Sequence, residues 1–314
     1  MNKRQKVAGA NEQEPIKADQ NDDSDSDAEE EQVLDEEGNM VRRVNMPKKR
    51  KHRMRAHINP MNEIHIPVPK NPDYCNWQMH YPSHFGVKDN NGDEIVVNTA
   101  KFRISYDEKA SHQIVPTILD IGCGYGGLMF ALSKHFPDQL ILGQEIRDKV
   151  ANFVAKKINT LRINSGYKDC MNLGVVRTNT MKTIHNYFKK ESVEKMFICF
   201  ADPHFKKVNW RRRIINQNLL TDYAYILKAG GRIYEVTDVK DLHDWNCKHL
   251  DQHPLFERIP EEELKGDPCI AAMREETDEA QKVIRNNGSI WHAVYRKRDE
   301  SDKSIDEKCM QIFM

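Results

Sequence analysis

The sequence has no run of about 18 apolar residues, the length that a membrane-spanning helix needs. No apolar stretch follows the basic N-terminus, so no secretory signal is expected. The seven cysteines of the 314-residue chain are widely spaced and form no C-x-x-C pair. This spacing argues against a structural zinc site and against a disulfide framework. We therefore expect reduced thiols in the cytosol or nucleus, no membrane association and no metal.

The chain also lacks net charge, because 48 Lys and Arg balance 48 Asp and Glu. The charges are nevertheless segregated. Residues 1–37 hold thirteen acids and four bases, a net charge of −9, so residues 38–314 carry +9. Residues 1–40 have no aromatics and are predicted to be a disordered acidic tail. The hypothesis is that this tail screens a basic body from non-specific RNA, and a purely solvating role is the alternative.

Residues 41–56 form a basic arm, in which eight cations follow the acidic tail. They are Arg42, Arg43, Lys48, Lys49, Arg50, Lys51, Arg53 and Arg55. The run Pro47–Lys51 is typical of a nuclear-import signal. It could equally contact RNA, and the two roles are compatible. The arm predicts a nuclear protein, with the cytoplasm as a second location.

From Thr117 onward, strand and helix patterns alternate. Apolar runs predict seven strands, at 118–121, 140–143, 175–178, 196–200, 233–236, 256–259 and 290–294. Helical spacing predicts helices at 128–136, 147–162, 180–188 and 239–250, and a long helix after Ile214 that ends at Gly230-Gly231. This alternation predicts an α/β, doubly wound, Rossmann-like fold: a mostly parallel seven-stranded sheet with helices on both faces. The domain should cover 57–297, and 298–314 form a C-terminal tail.

Ligands of such sheets bind beyond the carboxyl ends of the strands. The first of these loops is Asp120–Gly127, in which Gly122, Gly124 and Gly127 satisfy G-x-G-x-x-G. Glu145 follows the next strand, 18 residues after Gly127, where a carboxylate can accept hydrogen bonds from ribose hydroxyls. NAD enzymes share both features. The pair therefore indicates a ribose-containing cofactor without naming it.

Larger segments carry a family resemblance. Asp120–Gly127 with Glu145-Ile146-Arg147 is similar to the S-adenosylmethionine (SAM) site of class I methyltransferases. Phe200–Lys207 with Arg211–Arg213 resembles the tRNA (guanine-N7)-methyltransferases. Further matching segments are Arg55–His57, Asn59-Pro60, Thr237-Asp238, His243–Trp245 and Thr277–Glu279. The resemblance covers roughly residues 47–297. One departure is Ala201, where the family usually has proline, and it would loosen the loop before Asp202.

The resemblance implies SAM as cofactor and assigns ten residues to it. They are Gly122, Gly124, Glu145, Ile146, Arg147, Asn179, Thr180, Cys199, Thr277 and Glu279. The glycines would face the methionine part, Glu145 the ribose, and Ile146, Arg147, Asn179 and Thr180 the adenine. Taken alone, Asn179 could equally cap the helix that starts at residue 180.

The resemblance also implies a catalytic residue, Asp202. Guanine N7 already has a lone pair and needs no strong base, so Asp202 is expected to position the base. The predicted substrate-binding residues are Lys206, Lys207, Arg211, Arg212, Arg213 and Asp238. Five cations within eight residues fit RNA phosphates better than a small metabolite.

The implied activity is SAM-dependent methylation of N7 of a guanine in the tRNA variable loop, guanine 46 in tRNA numbering. The implied partners are tRNA and a non-catalytic WD40-repeat subunit. Two alternatives remain open. An NAD-dependent oxidoreductase would share the glycine loop but leaves the cations after Asp202 unexplained. A non-catalytic RNA-binding protein with a decayed site would bind tRNA without SAM.

Overall fold

The computed structural model describes residues 30–34, 40–55, 58–62, 65–81, 84, 105–110, 114–302 and 305. Its strands are β1 (Glu30–Leu34), β2 (Met40–Val44), β3 (Ile118–Ile121), β4 (Ile141–Glu145), β5 (Leu173–Arg177), β6 (Val193–Cys199), β7 (Leu227–Thr237), β8 (Phe256–Arg258) and β9 (Trp291–Lys297). Its helices are α1 (Gly127–His135), α2 (Asp148–Asn164), α3 (Thr180–Tyr187), α4 (Gln217–Ile226), α5 (Lys240–Gln252), α6 (Pro268–Glu275) and α7 (Asp278–Arg285).

Seven strands form one sheet in the order β5-β4-β3-β6-β7-β9-β8. The first five of these are parallel to one another, and β9 runs antiparallel to both of its neighbours. Strands β3, β4 and β5 are buried along their whole length, as expected for strands covered on both faces. Helices α1, α2 and α6 contribute to one apolar cluster, and α3, α4 and α5 to the other. The predicted doubly wound, mostly parallel sheet is confirmed.

The predicted end of the long helix is wrong. Helix α4 ends at Ile226, and Gly230-Gly231 lie inside β7. The pairing of β7 with β6 shifts between Val193, opposite Leu227, and Lys195, opposite Arg232. The glycines therefore form an irregularity in a long strand, where Gly230 adopts a φ of +77°. A glycine pair after an apolar periodic run is also the usual signal for a helix end, which explains the error.

A two-stranded sheet corrects the predicted extent of the disordered tail. Strand β1 lies within residues 1–40 and pairs antiparallel with β2. The pairing sets Glu31 opposite Arg43 and Gln32 opposite Arg42. Val44 then exchanges hydrogen bonds with the side chain of Asn164 at 2.8 and 2.9 Å, which ties the hairpin to α2. Residues 1–29, 35–39, 303, 304 and 306–314 of the predicted tails lie outside the described residues.

The segment before the sheet packs against it through aromatic side chains. Trp77 and Tyr81 are buried, and the Tyr81 hydroxyl donates to the carbonyl of Ile141 at 2.9 Å. A Cβ at Gly174 would lie 2.6 Å from Cζ of Tyr81, so β5 needs glycine there. The residues from 65 to 81 are therefore part of the folded body.

No helix of the described ranges is long and apolar enough to cross a bilayer. Six cysteines are free thiols: Cys75, Cys123, Cys170, Cys199, Cys247 and Cys269. Cys309 lies outside the described residues.

Deletion of residues 1–29 tests the proposed screening by the tail. It removes eight acids and four bases but leaves the β1–β2 pairing in place. We expect affinity for non-cognate RNA to rise, more at low than at high salt, because screening charges act over about a Debye length. Gel-shift titration at two salt concentrations measures the change. Replacing the eight acids with their amides should reproduce it, and unchanged affinity in both variants would leave the tail a solvating extension.

Candidate functional site

A cavity of about 430 Å³ opens at the carboxyl edge of the sheet. Loops after β3, β4, β5, β6 and β7 line it together with the start of α7. All ten predicted cofactor residues line this cavity, as do Asp202, Arg212 and Asp238. Neighbouring parallel strands end at one edge, so residues far apart in sequence meet there. The structure thus brings most of the predicted site together.

The glycine loop forms the floor of the cavity. Gly122, Gly124 and Gly126 adopt φ values of +74°, +54° and +80°, which side chains with a Cβ rarely adopt. A Cβ at Gly122 would meet no atom within 4 Å, and one at Gly124 would lie 3.8 Å from Glu279 Oε1. The loop therefore exposes its backbone to the cavity, next to the N-terminus of α1.

Several hydrogen bonds hold the carboxylate of Glu145 in the cavity. Its side chain is buried, and it accepts hydrogen bonds from the backbone N–H of Gly124 at 3.2 Å and of Arg147 at 2.8 Å. The Arg147 guanidinium donates to both carboxylate oxygens, at 3.0 and 2.7 Å. These contacts fix the carboxylate toward the cavity. Ribose hydroxyls would reach it by sharing its lone pairs with Arg147 or by displacing that side chain.

Two further acids lie near Glu145. Asp120 is the penultimate residue of β3 and is buried, and Glu279 faces Gly124 from α7. Burial, followed by the charges of Glu279 and Glu145, raises the pKa of Asp120 to about 8. Two buried carboxyl groups and the exposed Glu279 line the same cavity. Their charges repel each other and favour a cation among them. A ligand with a sulfonium and an ammonium group suits this cavity.

Gln144 offers an unused donor to the cavity. Thr180 donates to its side-chain oxygen at 2.9 Å, whereas its Nε2 is buried and finds no acceptor among the described residues. Buried amides usually have a partner. Together with the glycine loop and the acids, this free amide shows that the residues present fit SAM.

Asn179 lines the cavity, and its side chain does not cap α3. It occupies the N-cap position of α3, but its side chain makes no capping bond. Its Nδ2 instead donates to the carbonyl of Pro60 at 2.7 Å, and Lys182 donates to the carbonyls of Met61 and Asn62. Ile58 and Pro60 consequently form one wall of the cavity.

Thr277 begins α7 and closes the opposite wall. Its hydroxyl accepts from the N–H of Ala280 at 3.0 Å, so it is the N-cap of α7. Asp278 also pairs with Lys49 of the basic arm, whose ammonium lies 5.2 Å from the Tyr125 ring centroid. The arm is thereby docked beside the glycine loop.

Asp202 lies in a tightly bent loop after β6. Its carboxylate accepts from the N–H of His204 at 3.3 Å and lies 3.6 Å from the His204 Nδ1. Phe200 and His204 adopt φ values of +49° and +45°, which are costly for residues other than glycine. Backbone strain of this kind clusters at functional sites and aims the side chain between the two bends at the cavity.

The five cations among the predicted substrate-binding residues divide into two groups. Lys206, Lys207 and Arg211 are exposed, and Arg212 lines the cavity with a buried Nε that has no acceptor among the described residues. Arg213 is different, because only 4% of it is exposed. Its Nε donates to the carbonyl of Pro203 at 2.9 Å. The expectation that Arg213 contacts the substrate is corrected, since its guanidinium faces the protein.

Sequence reasoning missed several residues of the cavity: Ile58, Pro60, Asp120, Gln144 and His204. Asp120 is the first residue of the segment Asp120–Gly127 and could have been found from its place near a strand end. His204 adjoins Asp202 in the same motif. Nothing in the local sequence pattern signals that Ile58 and Pro60 come to the sheet edge.

Sequence spacing also gave no sign of a buried cluster below the Asp238 loop. Ligand atoms of Glu235, His243 and Cys247 lie within 4.8 Å of one another. His243 Nδ1 is 2.6 Å from Glu235 Oε1, and Asn246 donates to the other oxygen at 3.1 Å. The carboxylate is thus held by direct hydrogen bonds that tie α5 to β7.

Comparison with known proteins gives concordant results. The family described as a putative methyltransferase matches residues 115–293. A tRNA (guanine-N(7)-)-methyltransferase of Zea mays is 45% identical over 254 residues, which cover 80% of this chain and 93% of that protein. The protein of the same name from Scheffersomyces stipitis is 41% identical over 266 residues, covering 84% of this chain and 81% of its own. Among solved structures, an antibiotic-related methyltransferase matches with a TM-score of 0.42 and 14% identity, over 59% of this chain and 89% of that one.

Replacement of Glu145 by alanine should weaken SAM binding roughly 100-fold. The variant loses an acceptor for two hydroxyl groups, and a hydrogen bond to a charged group contributes about 1.5–3 kcal/mol. Titration calorimetry measures the affinity, and the unfolding temperature shows whether the fold is intact. The exposed Glu262→Ala is the matched control. Equal affinity of the two variants would contradict the assigned role.

The raised pKa of Asp120 predicts that the stability of the folded protein depends on pH. Its pKa is raised to about 8 in the folded protein from 3.8, so the folded state holds a proton that the unfolded state has released. The contribution of this group to the free energy of unfolding is therefore fully present below pH 4 and is lost as the pH rises toward 8. Between pH 6 and 8, the unfolding temperature of the ligand-free protein should fall more steeply than that of Asp120→Asn. Parallel profiles in differential scanning fluorimetry would contradict the shift.

Proposed function

Since this chain belongs to the tRNA (guanine-N7-)-methyltransferase family and is a SAM-dependent methyltransferase, we propose that its target is guanine 46 in the variable loop of tRNA. The observation that carries the proposal is the position of Asp202, between the cofactor cavity and the exposed cations. A guanine can reach such a cavity only when it leaves its stack, which a single-stranded loop permits. The variable loop provides such a base.

The bound cofactor supplies an electrophilic methyl group, which guanine N7 takes with its own lone pair as the carbon–sulfur bond breaks. Asp202 is placed to accept hydrogen bonds from the guanine N–H groups and to hold N7 in line. Its negative charge also stabilises the positive charge that develops on the base. Arg212 offers its unpaired Nε to the substrate from the same wall.

The exposed cations suit a large polyanionic substrate such as tRNA. Lys206, Lys207 and Arg211 lie outside the cavity, on the surface that adjoins Asp202. Each phosphate contact adds affinity without reading sequence, so these residues would hold the tRNA backbone while Asp202 receives the base.

The two alternative functions have less support. The oxidoreductase interpretation is set aside, because the relatives at 41% and 45% identity are methyltransferases. A decayed site would have lost at least part of its machinery, whereas the cofactor residues and Asp202 all line one cavity here.

A non-catalytic WD40-repeat subunit is proposed as the protein partner. Its support is the resemblance of the segment from Arg55 to Pro60 and of the catalytic body to eukaryotic members of the family. Co-purification of the two chains as a 1:1 complex, measured by light scattering, would support the pairing, and separate elution would contradict it.

Nuclear import is proposed for the basic arm. Within Pro47–Lys51, Lys49 is engaged with Asp278, whereas Arg50 is exposed. Imaging of a tagged chain with Lys48 and Arg50 replaced by alanine tests this location, because retained nuclear signal would exclude the arm as the import signal.

Wild-type protein incubated with methyl-labelled SAM and tRNA should form 7-methylguanosine at position 46. Cleavage at the modified base, followed by sequencing of the fragments, locates the methyl group. A tRNA with adenine at this position should accept none. Labelling of that tRNA at another guanine would refute the proposed position.

Asp202→Ala should lower the rate of methyl transfer at saturating substrates roughly 100-fold, while SAM affinity stays within about twofold. The expectation follows because a positioned polar group commonly contributes a factor of about 10²–10³ to catalysis. The exposed Asp138→Ala is the control. Full activity of Asp202→Ala would remove this residue from the mechanism.

A further inference from the structure

The buried Arg213 lies in a stack of aromatic side chains beside Asp202. Its guanidinium carbon is 4.9 Å from the ring centroid of Trp210 and 4.6 Å from that of Trp245. Trp245 stacks in turn on His249 with the centroids 4.0 Å apart. We call these four residues the arginine stack. Indole faces stabilise a desolvated cation, so the stack lets Arg213 remain buried.

Hydrogen bonds join the stack to rigid elements. Trp245 lies on α5 and donates its indole N–H to the carbonyl of Ile215 at 2.8 Å. His249 Nδ1 lies 2.8 Å from the Trp245 carbonyl, one turn earlier on the same helix. The backbone N–H of Arg213 donates to the Trp210 carbonyl at 2.9 Å. The guanidinium therefore has a fixed position relative to the body of the domain.

The guanidinium of Arg213 holds the loop that contains Asp202. The Arg213 Nε donates to the carbonyl of Pro203, the residue directly after Asp202. The same loop contains the positive φ values of Phe200 and His204, and such a backbone persists only when its surroundings hold it. A charged donor makes a stronger hydrogen bond than a neutral one, and here it acts one residue from the carboxylate.

We propose that Arg213 is a positioning residue: it clamps the Pro203 carbonyl and so sets the orientation of Asp202 toward the guanine. This inference rests on the proposed function. It separates Arg213 from Arg211 and Arg212, although the three are consecutive. Arg211 is exposed and Arg212 lines the cavity, whereas Arg213 presents its guanidinium to Pro203 and two indoles.

Arg213→Lys tests the assignment, because lysine keeps the charge but lacks the planar face and the fixed Nε. We expect the turnover rate to fall roughly 10-fold or more, with KM for tRNA and Kd for SAM changed less than about twofold. The slope of log Kd for tRNA against log salt should match wild type. Arg211→Ala should weaken tRNA binding and reduce that slope by about one, as a phosphate contact does.

Trp245→Phe provides a second variant, since it keeps a ring but loses the N–H bond to Ile215. It should lower the turnover rate in the same manner and less severely, again with SAM affinity intact. Unfolding temperatures of all variants are measured in parallel. Wild-type protein that fails to methylate tRNA would refute the proposed function, whereas the outcomes below concern Arg213 alone.

Three outcomes with an active wild type would overturn the proposal. Unchanged turnover in Arg213→Lys would show that the clamp is dispensable. A raised KM with a reduced salt slope would make Arg213 a phosphate ligand. Loss of SAM affinity together with a lowered unfolding temperature in both Arg213→Lys and Trp245→Phe would reduce the stack to general scaffolding.

Discussion

The burial of two carboxyl groups, beside a third that lines the same cavity, is the constraint on which this site depends. A parallel sheet delivers its strand ends to one edge, and here that edge collects Asp120 and Glu145, with Glu279 added from α7. The guanidinium of Arg147 compensates Glu145, and a proton on Asp120 relieves the rest. A cationic methyl donor provides the missing compensation. The affinity for a cationic cofactor and the charge of the cavity therefore depend on each other.

The site also separates charge over a short distance. Asp120, Glu145 and Glu279 line the cofactor cavity, whereas Lys206, Lys207 and Arg211 are exposed in the segment that follows Asp202. A guanine placed between them has anionic phosphates on one side and the methyl donor on the other. Asp202 lies at this boundary. The loop that carries it includes Ala201, which packs against the apolar core, and the Phe200 N–H donates to the carbonyl of Val236 at 2.8 Å. Bonds from neighbouring elements therefore restrain the loop despite the missing proline.

Most of the fold and the cavity could be predicted from the sequence, because both follow from where buried strands end. Gly122 and Asp202 come directly or shortly after such a strand, Glu145 is the last residue of one, and all three line one cavity. The failures involve contacts distant in sequence. The glycines of β7 look like a helix end unless the pairing with β6 is known. Arg211–Arg213 look uniform, and only Trp245, on another helix, distinguishes Arg213.

The hydrogen bond from Asn179 to Pro60 shows which part of the chain is needed to build the cavity. Residues 115–293 match the family and carry the sheet almost to its last strand, which makes them look like a self-sufficient unit. One wall of the cavity, however, comes from Ile58 and Pro60, more than fifty residues before this unit. The residues that form the sheet therefore complete the cavity only together with the segment that contains Ile58 and Pro60. The cavity therefore depends on this earlier segment, although the described residues of the segment contribute no strand to the seven-stranded sheet.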